Sequence, residues 1–167
     1  MTFYTGVDQL PPFESYAMQG RTYRYFEGIP LYPFGYGLSY TTFSYNKLKL
    51  PESSIAAGQS LAVDVTVTNS GKVAGDEVAQ VYLTFPDMKG APLRALRGFQ
   101  RVHLSPGESQ LLRFELKPRD LSMVSEAGEP IVAAGKYSVL VGGGQPNTGA
   151  PNVAGTFEIK GTVRLPE

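Results

Sequence analysis

Cysteine and tryptophan are absent from this chain, and histidine occurs once. Without cysteine there is no disulfide, no thiolate nucleophile and no thiolate metal site, and the redox compartment stays open. A Ser-His-Asp triad or a histidine-rich metal site would have to be built on His103 alone. That residue stands between Val102 and Leu104, and the alternation predicts a surface imidazole without a catalytic or ligand role. Neither cofactor nor metal is expected. No stretch approaches the roughly 18 consecutive apolar residues of a membrane span. The opening MTFYTGVDQLPP lacks the basic and apolar regions of a signal peptide. Charge of one sign is missing as well, since fifteen Lys and Arg balance fifteen Asp and Glu. No global field therefore draws nucleic acid or an anionic membrane, and neither partner is expected.

What is present is ordinary globular material, 42% hydrophobic and 18% charged over 167 residues, enough for one sizeable core. It is unevenly spread: twelve of the 19 aromatic residues precede residue 44. Prolines 11, 12, 30 and 33 interrupt that first segment, which shows no sustained period of 2 or 3.6 and reads as extended, irregular chain. Beyond Thr41 the pattern becomes repetitive. Leu61, Val63, Val65 and Val67 alternate with polar or small residues, as do Ala79, Val81, Leu83 and Phe85, Leu112, Phe114 and Leu116, and Tyr137, Val139 and Val141. Each run reads as a strand with one apolar face inward. Asn69-Ser70-Gly71, Gly75-Asp76, Pro86-Asp87, Ser105-Pro-Gly-Glu108 and Gly128-Glu-Pro130 read as the turns between them. Further strands over Phe43–Leu50, Arg97–Leu104 and Val153–Ile159 bring the number to about seven, which predicts an all-β, immunoglobulin-like sandwich. One helical turn is predicted over Lys117–Met123, with Pro118 in its first turn and Asp120 as a cap, and none elsewhere.

Motifs that carry chemistry are weak. A glycosidase needs two carboxyl groups facing one cleft, roughly 5 to 5.5 Å apart for retention. Asp64 and Glu115 fall on polar strand faces, while Asp76, Glu77, Glu108 and Glu129 sit in or beside turns. Gly142-Gly143-Gly144 follows an apolar run but lacks the lysine and the helix of a phosphate-binding loop, and reads as a flexible connection between the last two strands. Arg21 and Arg24 among aromatic neighbours are candidates to stack bases or sugars. Rings of this kind more often fill a core or an interface.

The segment GRTYRYFEGIPLYPFGYGLSYTTF resembles the junction preceding the fibronectin type III-like domain that ends family 3 glycoside hydrolases, which include β-glucosidases and β-xylosidases. The likeness continues through VTNSGKVAGDEVAQVYL, APLRALRGFQRVHLSPGESQLLRFEL, LSMV and AGKYSVLVGGG, covering about Val7 to Phe157. The section VDQLPPFESYAMQGRTYRYF looks closer to the β-xylosidase-like members. In complete members a barrel domain supplies the nucleophilic Asp, in a Ser-Asp-Trp context, and an α/β domain supplies the acid/base Glu. This chain has no Trp, and a barrel alone takes roughly 200 residues, so neither catalytic residue can be carried over.

The resemblance implies a remnant of the α/β domain with an interdomain strap over residues 1–38 and a fibronectin type III-like sandwich over 39–167. It implies a non-catalytic module whose partners are the catalytic domains, with Tyr23, Arg24, Tyr25, Phe26, Tyr32, Phe34, Tyr36 and Tyr40 as interdomain or sugar contacts. Self-association through the strap is the expectation where those domains are absent. The competing readings are a stand-alone carbohydrate-binding module for plant cell-wall polysaccharide, with oligosaccharide as a partner, and, third, an active hydrolase. Resembling enzymes are secreted or periplasmic.

Overall fold

The computed structural model describes residues 2–50 and 52–166. Its strands are β1 (Phe43–Lys49), β2 (Ser54–Ala56), β3 (Leu61–Asn69), β4 (Gly75–Thr84), β5 (Ala95–Leu104), β6 (Ser109–Leu116), β7 (Met123–Val124), β8 (Pro130–Val132), β9 (Gly135–Gly142), β10 (Asn152–Lys160) and β11 (Val163–Arg164). The order β1-β3-β6 makes one sheet and β2-β10-β9-β4-β5 the other, with a small β11-β8-β7 sheet beside them. The seven long strands are those that alternation predicts.

The alternation works as expected where it is cleanest. In β3 every second residue from Leu61 to Asn69 is buried, because a pleated strand points successive side chains to opposite faces. Leu61, Val63, Val65 and Val67 meet Val81, Leu83, Val139, Val141, Leu112 and Phe157 in one core between the sheets. Fully burying each such aliphatic side chain stabilises by about 1.5–3 kcal/mol.

One buried polar residue ties three turns to this core. The Asn69 Oδ1 accepts from Thr41 Oγ1 at 2.7 Å and from the Gly71 N–H at 3.0 Å. Its Nδ2 donates to the Val73 and Leu104 carbonyls at 2.8 and 2.9 Å. The Asn69 backbone also pairs with Gly107 and Glu108 in the β5–β6 turn, where Gly107 sits at φ +77°, a conformation that disfavours any residue with a Cβ. All four of the side chain's hydrogen-bonding positions are thus used, which is what a buried amide requires.

The predicted helical turn exists as α2 (Pro118–Leu121), with Pro118 at its start and the Asp120 carboxylate accepting the Lys117 N–H at 2.9 Å. Three expectations need correction. Gly75-Asp76 is not a turn but the start of β4, and the reversal lies just before it, closed by Asn69. The polar pair Asp76-Glu77 fits a strand because each carboxylate finds a partner, Arg101 and His103 on the neighbouring β5 for one and Tyr45 on β1 of the other sheet for the other. Helical turns also occur outside 117–123, a 3-10 turn at Val7–Gln9 and α1 (Thr22–Tyr25); single turns are too short to display a period. Last, β4 does not have one wet face, since Ala79 through Leu83 are all buried.

Candidate functional site: the aromatic strap

The covering of β4 is the strap itself. The α1 turn carries the Tyr23 ring onto the outer face of the sheet, where it stacks on Phe34 with centroids 4.6 Å apart and meets the edge of Tyr82 at 6.1 Å. Its hydroxyl accepts the Leu96 N–H at 3.1 Å, and the Arg24 carbonyl accepts the Leu93 N–H at 2.8 Å. Tyr82 is left 1% exposed, so burial pushes its phenol well above the usual tyrosine range. The Tyr82 hydroxyl donates to Gln80 Oε1 at 2.6 Å.

Gln80 in turn lies under the strap glycine Gly35, at φ +80°, where an added Cβ would stand 2.7 Å from the Gln80 amide nitrogen. Only glycine lets the strap approach this closely while turning left-handed. A second tie comes from the β9–β10 connection. There Gln145, 3% exposed, accepts the Phe34 N–H at 3.2 Å. The Gly142–Gly144 run is accordingly a packed connection that meets the strap, with Gly142 and Gly144 buried.

Upstream, the Phe3 N–H donates to the Tyr32 carbonyl at 3.2 Å and the Phe3 carbonyl accepts the Leu31 N–H at 2.8 Å, and Tyr4 packs edge-on to the buried Phe26 ring at 4.8 Å. The Arg21 guanidinium is spent on the carbonyls of Pro12, Ser15 and Ala17, so it holds a loop and is not free for a ligand. The predicted site residues therefore divide. Tyr23, Phe26 and Phe34 face inward. Arg24 and Tyr25 line a cleft of about 490 Å³. Tyr32, Tyr36 and Tyr40 face solvent, Tyr40 completely. Phe3, Tyr32, Tyr36 and Leu38 line one shallow apolar outer face of the strap, and Ile29 and Leu31 are exposed as well. Tyr32 and Tyr36 are tilted by 48° to each other, so they present no flat platform for a sugar ring.

Among the described residues, the strand carboxylates Asp64, Asp76 and Glu77 are each engaged by a separate partner. Asp64 is gripped by Arg113 through two bonds of 2.8 and 2.9 Å, which hold its carboxyl below the usual range. Asp76 is held down likewise, by Arg101 first and then by His103. His103 is a surface residue, as its alternation predicts. Glu77 points to the opposite side of β4 from Asp76, and burial pushes its pKa up although the Tyr45 hydroxyl donates to it at 2.5 Å. Among the described residues no group of three or more His, Asp or Glu is placed to hold a metal ion. Sequence reasoning missed Gln80 and Gln145; for Gln80 the available signal was a glutamine amid apolar strand residues, whereas Gln145 lies in the β9–β10 connection and carried none.

Residues 77–145 match the family model for the fibronectin type III-like domain. A β-xylosidase from Formosa agariphila is 43% identical over 72% of this chain and 17% of its own length. A xylan 1,4-β-xylosidase from Xylanibacter ruminicola is 38% identical over 85% of the chain and 16% of its length. Among solved structures, a β-glucosidase from Erythrobacter marinus superposes with a TM-score of 0.76 at 34% identity, covering 95% of this chain and 21% of that one. The strap is therefore largely included in the structural match. The chain spans about one-fifth or less of the relatives it matches, and the part it shares with them includes a fibronectin type III-like domain.

Proposed function

We propose, from a chain that belongs to the fibronectin type III-like C-terminal region of family 3 glycoside hydrolases, that it is the docking module of a β-xylosidase- or β-glucosidase-type enzyme. The sandwich, from about residue 39 to 167, is a rigid base. Residues 1–38 belong to the neighbouring α/β domain at their start and act as the strap between domains. The observation that carries this reading is the two-sidedness of the strap: its inner rings are clamped to β4 and β5, while its outer apolar face has no cover. Contiguous exposed apolar surface of this kind marks an interaction site, and a catalytic domain preceding the module in one polypeptide is the partner at highest effective concentration.

The test is a graft. This chain replaces the matching segment of the Erythrobacter marinus β-glucosidase, and hydrolysis and melting are compared with the triple variant Tyr36→Ser, Leu38→Ser, Tyr40→Ser. The graft is expected to restore activity on an aryl β-glucoside, and the variant to lower both melting temperature and activity. A variant indistinguishable from the graft would refute docking through this face. The isolated chain is expected to hydrolyse neither aryl β-xyloside nor aryl β-glucoside.

A further inference from the structure

A second feature owes nothing to the strap's outer face. In the β4–β5 ladder Tyr82 pairs with Leu96 and Val81 with Gly98, so Arg97 is the bulged residue and has no partner on β4. Bulges re-aim a side chain out of the regular ladder. This one sends a guanidinium over the Phe85 ring, 5.3 Å from its centroid, with one Nη2 bond of 2.7 Å to the Ser122 carbonyl. Its Nε is buried and has no hydrogen-bond partner. A buried donor left unmade costs roughly 1–3 kcal/mol, and more when the group is charged. Arg24 reaches the same cleft from α1, and its guanidinium makes no hydrogen bond or ion pair with a described side chain.

Two cations therefore share one cleft, and neither forms an ion pair with a described carboxylate, although Asp120 and Glu126 line the same walls. Lys89, also on the wall, is already paired with Glu126 at 2.7 Å, and the Arg119 Nη1 donates to the Pro166 carbonyl. Burial, with the charge of Arg24 adding to it, pushes the Arg97 guanidinium down from its ordinary value. The cleft volume, about 490 Å³, is that of a small-molecule site.

We infer that the cleft between Arg24 and Arg97 is a binding site for a small carboxylate. The guanidinium fork matches a planar two-oxygen acceptor. The ligand oxygens would bridge the cleft-lining guanidinium groups of Arg97 and Arg24. Asp120 and Glu126 also line the cleft, and their negative charge disfavours a dianion such as sulfate. Arg119, Asp120 and Lys89 set the rim of the site.

The test titrates the full 167-residue chain with sodium acetate, sodium sulfate and sodium chloride at matched ionic strength, following arginine Nε–Hε resonances by NMR. Acetate is expected to shift the Arg97 resonance saturably, with sulfate weaker and chloride flat. Arg24→Gln, which leaves the bulge intact, is expected to weaken acetate by about tenfold, the loss of one charge-assisted bond. Arg97→Lys serves only to assign the resonance. A linear response to acetate, equal responses to the three salts, or an unchanged affinity in Arg24→Gln would each overturn the proposal.

Discussion

Truncating Tyr23 to Ala is expected to release the strap while leaving the sandwich folded. The ring makes two aromatic contacts, to Phe34 and Tyr82, each contributing about 0.5–1.5 kcal/mol. Its hydroxyl also accepts the Leu96 N–H, a part-buried donor whose loss of partner costs about 1–3 kcal/mol. Together these hold the strap by about 3 kcal/mol, so the detached state should become about 100-fold more populated. Trypsin cleavage after Arg24, followed by mass spectrometry under conditions where opening equilibrates faster than cutting, reads that population directly. Tyr23→Phe removes only the hydroxyl and should accelerate cleavage by about tenfold, less than Tyr23→Ala. The core of β3 shares no side chain with this clamp, so amide exchange over Leu61–Asn69 should be unchanged. Cleavage after Arg24 within twofold of the parent, or collapse of the whole sandwich in Tyr23→Ala, would refute the clamp.

Three further outcomes follow from the same geometry. Asn69→Ala removes four side-chain hydrogen bonds and should cost about 3–4 kcal/mol, lowering the melting temperature by about 10 °C; a loss under 2 °C would sink the role given to this amide. Glu77→Gln keeps an acceptor for Tyr45 but removes a buried charge. Because burial raises the Glu77 pKa in the folded state, its carboxylate favours folding least above that pKa, so the variant should match the parent in acid and exceed it at pH 7. Melts across the acid range check this, and a variant less stable at pH 7 would contradict it. Thr22 adopts φ 57°, costly for a β-branched residue, so Thr22→Gly should stabilise by about 1 kcal/mol in denaturant unfolding; destabilisation would show that the turn is unstrained.

The seven principal strands were legible because each buries one face in a common core, and period-two alternation is the direct imprint of that burial. The short β2, β7, β8 and β11 left no such imprint, since two or three residues cannot show a period. Gly75-Asp76 carries turn composition yet is strand, because the Asp76 and Glu77 carboxylates are matched by residues on β5 and β1 that local reading does not bring together. Gln80 and Tyr82 were read as the wet side of β4; what buries them is chain some 50 residues earlier in sequence, and no window along β4 contains it. The strap residues were singled out by composition and by family resemblance, and neither could say which rings point in. Glycine at 35 and the turn at Thr22 make that division, by fixing where the backbone approaches the sheet and where it leaves it.

The most direct test of the docking account is hydrogen exchange over residues 29–40, measured in the isolated chain and again in the graft onto the Erythrobacter marinus catalytic region. The account predicts markedly slower exchange in this segment once the neighbouring domain is present, with no change over Leu61–Asn69. Equal exchange at 29–40 in the two proteins would mean that the outer face of the strap docks on nothing there, and would contradict it.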